Sequence, residues 1–133
     1  MKLNKEDLGL LALRLGIAGV FVWFGISKFI APFSWVKWMP SWFLNSLPIT
    51  QNAFIYIMGG FEVIVGIFIL MGYFTKIAAA LAALQLLGII VSIGVNEITT
   101  RDLGLLFLAI GIGLLGPGAL SIDRKKEIRK EYM

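Results

Sequence analysis

The sequence predicts an all-α integral membrane protein, a four-helix bundle with a short amphipathic aromatic segment between helices one and two. Three observations carry this. The 133 residues are 59% hydrophobic and only 15% charged, where a soluble domain carries about 25% charged residues. Mean hydropathy is +0.89. Four apolar stretches can be laid out, each near the roughly 20 residues that a bilayer crossing needs. They use up most of the chain, so residues 1–133 read as a single transmembrane domain with no separate soluble one.

The first crossing is expected over about 8–30. Glu6 and Asp7 precede it, and carboxylates suit a helix N-terminus; Pro32 ends it. Its apolar run is too long for a secretory signal core, and no small-residue cleavage site closes it, so it is expected to remain as a true span. The second crossing is expected over about 53–72, after Thr50, Gln51 and Asn52, and the third over about 76–95. The fourth is expected over about 103–120, with Asp102 as N-cap and Gly116-Pro117-Gly118 breaking it near its end. Small residues are frequent in all four, and they let helix backbones approach closely in lipid. Asp7-Leu8-Gly9-Leu10-Leu11 is echoed by Asp102-Leu103-Gly104-Leu105-Leu106, which is compatible with an inverted repeat and is also what Leu/Gly-rich helices produce by chance.

Basic residues set the expected orientation. Lys2, Lys5 and Lys76 fall on one side with Arg124, Lys125, Lys126, Arg129 and Lys130 of the basic tail 123–133. The other side has Lys28, Lys37 and Arg101. This places both termini in the cytoplasm of a multi-pass plasma-membrane protein, with the tail against anionic headgroups.

The connection 31–52 carries Trp35, Trp38 and Trp42 at spacings of three and four, one face of a short helix. Tryptophan prefers the membrane–water boundary. The segment is therefore expected to lie on the external surface, as a plain anchor or as a lid over an opening between helices.

Glu62 is the most informative single residue. It sits mid-way along the second apolar stretch, where a carboxylate must be protonated, paired or turned to an internal cavity. Arg14, inside the first crossing, is the expected partner. At 1.5 Å per residue the two lie about 9 and 15 Å from the cytoplasmic ends of their helices, a mismatch of about 6 Å that a long Arg side chain can cover. Gly59 and Gly66 flank Glu62 on its own face and would admit the first helix at that level. A second, external polar cluster is expected from Lys28, Glu97, Arg101 and Asp102, with Lys28 paired to Glu97 or Asp102. Gln85, midway through the third crossing, is the remaining strongly polar mid-membrane group. Such pairs can fix helix register alone. They can also line a pocket for a small redox or lipid-like ligand, opening under the Trp segment and bordered by Trp35, Trp38, Trp42 and Gln85.

The chain has no cysteine and no histidine. That excludes disulfide and thiol-relay chemistry and His-ligated haem, zinc or copper. No metal site and no covalently bound cofactor is expected. Any redox role needs a borrowed carrier such as a quinone or flavin.

Leu13-Arg14-Leu15-Gly16 followed by Trp23-Phe24-Gly25-Ile26-Ser27-Lys28-Phe29 resembles the first-helix pattern of the DoxX/DoxD family. Gly60-Phe61-Glu62 with Gly66, Gly72 and Thr75-Lys76 resembles its second-helix pattern. Arg101-Asp102-Leu103, Gly116-Pro117-Gly118 and Ser121-Ile122-Asp123 resemble its last. Lys76 stands where an Arg is common. The resemblance implies a small four-helix membrane protein of a prokaryote and, in some members, the membrane subunit of a thiosulfate:quinone oxidoreductase. It implies a subunit of a quinone-linked oxidoreductase system, with quinone as a ligand and a soluble or peripheral subunit as partner. Nucleic acid is not expected as a partner, and homo-oligomerisation stays open. The rival readings are a non-catalytic scaffold that docks a partner, and a small transporter.

Overall fold

The computed structural model describes residues 4–133; Lys2 lies outside them. Among the described residues seven helices follow one another: α1 (Lys5–Ile30), α2 (Pro32–Val36), α3 (Ser41–Ser46), α4 (Gln51–Met71), α5 (Thr75–Ile93), α6 (Glu97–Leu115) and α7 (Ile122–Glu131). Four of them, α1, α4, α5 and α6, are long and apolar enough to cross a bilayer. Consecutive spans run antiparallel, so both chain ends fall at one end of the bundle, called here the terminal end. The connections 31–50 and 94–96 lie at the far end.

Local chemistry sets most of the boundaries. Asn4 and Asp7 form a reciprocal capping box at the start of α1. Thr50 caps α4 by accepting from Ala53 N. Gly72 ends it in the left-handed conformation (φ 63°), with its N–H and that of Tyr73 closing on carbonyls of the last turn. The fourth span differs from expectation. It covers Glu97–Leu115, and its N-cap is Asn96, boxed with Thr99, so Asp102 sits inside the helix. Asn96 is the first residue with free side-chain oxygen and extended backbone (φ −156°), and the helix nucleates there rather than at the later acid.

The start of α5 has no local cap. Phe74 there adopts φ 46°, a left-handed conformation unfavourable for a residue with a Cβ. Its cap comes from across the chain. Asp123 of α7 accepts from Phe74 N (3.0 Å), Thr75 N (2.8 Å) and the Thr75 hydroxyl (2.9 Å). Partial burial pushes the Asp123 carboxyl up, but these hydrogen bonds and nearby Lys126 outweigh it and hold the group below the usual carboxylate range. A depressed folded-state value means stability that is present above the unfolded value and lost as pH falls through the folded one. Acid titration of the melting temperature should therefore show a steeper acid limb in wild type than in Asp123→Asn. Equal limbs would show that Asp123 does not couple folding to protons.

The bundle is two close pairs, α1 with α4 and α5 with α6. The first pair is close because of glycine. A Cβ on Gly59 would stand 2.8 Å from Gly25 O and 3.0 Å from Lys28 Cβ, and one on Gly66 would stand 2.9 Å from Val22. The pairs share a core of Ile17, Phe21, Val65, Ile69, Ala78, Ala82, Ala109 and Ile112. Trp23, Val91 and Leu114 are among the large apolar side chains left on the outside, where lipid covers them. Gly59→Leu is expected to wedge α1 from α4 and lower the detergent melting temperature by about 5 °C or more, the equivalent of 1–3 kcal/mol of overpacking. Gly16→Leu, where a Cβ meets nothing within 4 Å, is the control and should leave it unchanged.

Candidate functional site

The far half of the bundle encloses a cavity of about 510 Å³. Its walls come from all four spans, and α2 and α3 cover it. Phe21 and Phe24 of α1, Phe54 and Phe61 of α4, Ile89 of α5 and Leu105 of α6 make it largely apolar. Its polar end is a three-residue network. Lys28 Nζ donates to Glu62 Oε2 at 2.6 Å, with both side chains 8% exposed. Gln85 Nε2 donates to Glu62 Oε1 at 2.7 Å. An ionised carboxylate only accepts, so the amide nitrogen of Gln85 must face it and Oε1 must face away. That Oε1 is buried with no partner among the described residues, a state that costs about 1–3 kcal/mol.

Aromatic rings line the same end. The Trp35 ring centroid lies 3.8 Å from Lys28 Nζ, and Phe24 meets Trp35 edge-on at 5.3 Å. Arg101 grips Asp102 Oδ1 through Nε (2.9 Å) and Nη2 (2.6 Å). The guanidinium carbon of Arg101 lies 4.3 Å from the Phe24 ring centroid. Lys28 and Arg101 thus each stack on a ring while holding a carboxylate.

This arrangement corrects the expected pairing of Arg14 with Glu62. Arg14 is buried at the terminal end and, among the described residues, pairs with no carboxylate. Its Nε donates to Ile69 O (2.8 Å), Nη2 to Leu70 O (2.5 Å), and Nη1 to Pro117 O (3.0 Å) and Leu120 O (2.9 Å). The reason is level. In the antiparallel α1–α4 pair, Arg14 meets the last turn of α4, where the carbonyls of Ile69 and Leu70 lack an i+4 amide partner and carry the negative end of the helix dipole. Lys28, fourteen residues on along the same helix face, is the cation that stands opposite Glu62.

The external cluster is also redrawn. Lys28 belongs to Glu62, not to Glu97 or Asp102. Arg101 and Asp102 pair with each other. Glu97 is exposed in the first turn of α6, and no hydrogen bond or ion pair holds its side chain among the described residues. The expectation of one face for the three tryptophans fails as well. The segment is two helices broken around Pro40, so Trp35 and Trp38 line the cavity while Trp42 turns outward, 63% exposed, against Phe43. Gln85 lines the cavity and completes the Glu62 network. Phe24 was not anticipated; its signal is the i, i+4 spacing from Lys28, which sets the ring beside the ammonium. Among the described residues no group of three or more His, Cys, Asp or Glu converges to hold a metal ion.

A helical shell that faces lipid and encloses an ion-paired polar pocket defines a multi-pass integral membrane protein with an internal cavity. The DoxX family model matches residues 9–95, and the chain belongs to the DoxX family. The match spans Arg14, Lys28, Trp35, Trp38, Glu62 and Gln85, and it stops short of Arg101 and Asp102. No curated protein and no solved structure matches the chain.

Proposed function

We propose that this protein is the membrane subunit of a quinone-linked oxidoreductase system and that the cavity receives the quinone headgroup. One observation carries the reading: a 510 Å³ aromatic-walled cavity inside a membrane bundle ends on the buried Lys28–Glu62–Gln85 network. The family's frequent association with thiosulfate:quinone oxidoreductase agrees with it. A bound quinone would supply the electron-accepting chemistry, since no side chain here carries electrons. The chain's own part is binding and proton handling. Lys28 has ammonium N–H groups beyond the one given to Glu62, and these can be aimed at a carbonyl oxygen where negative charge develops. Glu62 holds the ammonium in place, and Gln85 orients the carboxylate. The aromatic walls exclude water from the reduced oxygen. A soluble or peripheral subunit would deliver the electrons. We place both termini in the cytoplasm of a prokaryotic cell, from the basic residues at the terminal end.

Titration of the purified protein with a quinone analogue should quench Trp35 and Trp38 fluorescence saturably. Glu62→Gln should weaken the apparent affinity about tenfold, the loss of one charge-assisted contact network. Absence of saturation in wild type would remove the reading. The rival is a non-catalytic docking protein, favoured by the fact that Lys28 and Arg101 are each already paired with a carboxylate. It expects partner capture to survive when the network is made apolar.

A further inference from the structure

The cations of the cavity are already neutralised. Lys28 lies 2.6 Å from Glu62 and Arg101 lies 2.6 Å from Asp102. An anionic headgroup would have to displace a carboxylate inside a low-dielectric bundle, which disfavours it. An uncharged group that both accepts and donates meets no such conflict. It can take a spare N–H from Lys28 and leave both ion pairs intact.

The cavity also has a side exit. Leu81 and Leu84 of α5 line it and are 39% and 66% exposed, so the wall between α4 and α5 reaches the lipid face. A second groove of about 280 Å³ follows the same seam and is lined only by apolar side chains. Phe61 and Leu81 line both spaces. The groove follows α4 from Phe61 to Phe68 toward the terminal end, about 10 Å at 1.5 Å per residue. Polar fittings at one end and a wholly apolar channel leading away match a single molecule with a small head and a long chain.

We propose that the site takes an amphiphile with an uncharged, hydrogen-bonding head and a long apolar chain. The head sits at Lys28, Glu62 and Gln85, and the chain leaves past Phe61 and Leu81 to lie in the α4–α5 groove. This rests on the reading of the cavity as a ligand site, but it does not require that the head be a quinone.

Native mass spectrometry of the full-length protein, released from detergent, tests it with four probes. These are a long-chain primary alcohol, its short-chain homologue, the matching long-chain carboxylate, and a long-chain isoprenoid quinone. The long-chain alcohol should be retained about tenfold or more better than the short one, as burial of several methylenes requires, and better than the carboxylate. Leu81→Trp, at the junction, should abolish the chain-length gain. Ile77→Trp, lower in the groove and 59% exposed, serves the same purpose should the first variant fail to fold. Retention of the alcohol with no retention of the quinone would remove the quinone function and leave this inference standing. Equal retention of short and long alcohols, carboxylate binding as strong as the alcohol's, no alcohol retained, or a chain-length gain that survives in a folded groove variant would each overturn it.

Discussion

Glu62→Ala should destabilise the protein by about 3–5 kcal/mol, because it strands Lys28 as an unpaired charge in a buried site. In a thermal melt in detergent this is a fall of about 10 °C or more. The informative comparison is the apolar triple variant, Lys28→Met with Glu62→Leu and Gln85→Leu. Replacing a whole buried polar network with well-packed apolar groups is near neutral or stabilising, so the triple variant should melt close to wild type. It should nevertheless lose quinone quenching of Trp35 and Trp38, since nothing remains to bond the carbonyl oxygen. A triple variant that melts normally and still binds would show that the network serves packing alone.

Arg14→Ala should be comparably severe for a different reason. The guanidinium serves four backbone carbonyls on two separate stretches of chain, Ile69 and Leu70 at the end of α4 and Pro117 and Leu120 beyond α6. Hydrogen bonds to charged groups contribute about 1.5–3 kcal/mol each and are not additive when they share one donor group. A loss of about 3–6 kcal/mol is expected on that basis. Arg14→Lys should recover only part, because an ammonium is a single point of charge and cannot span a fork of acceptors. A melting temperature within the error of wild type for Arg14→Ala would refute the clamp. Neither Arg14 variant should change quinone affinity in the fraction that remains folded, because the clamp and the cavity lie at opposite ends.

The four spans were legible because hydrocarbon leaves so little choice. Long apolar runs with polar punctuation can only be helices there, and α1, α4 and α5 begin and end close to where Pro32, Thr50 and Gly72 suggest. Glu62 and Gln85 stood out for the same reason, as polar atoms with no solvent. What composition could not convey is which residues of two antiparallel helices share a level. Depth counted from helix ends put Arg14 and Glu62 within reach of each other. Glycine contacts were the better guide. Gly25 and Gly59 mark where α1 and α4 touch; in this antiparallel pair Lys28 and Glu62 stand about one turn from it in opposite directions, a gap the long Lys28 side chain spans. The partners of Arg14 were invisible on other grounds. They are carbonyls, which every residue carries, and no side-chain pattern announces them. The Asp123 cap on α5 is non-local in the same way. For the aromatic segment, residue spacing suggested one continuous helix, and Pro40 divided it, turning Trp42 away from the rings it was grouped with.

The Arg14 clamp constrains substitution unequally. Its acceptors belong to the main chain, so Leu70 and Leu120 can drift to other residues as long as the backbone path survives, while position 14 has no substitute for its forked donor. A saturation library should accordingly show one intolerant site facing neighbours that accept many replacements. Covariation between them would be absent even though they are in direct contact.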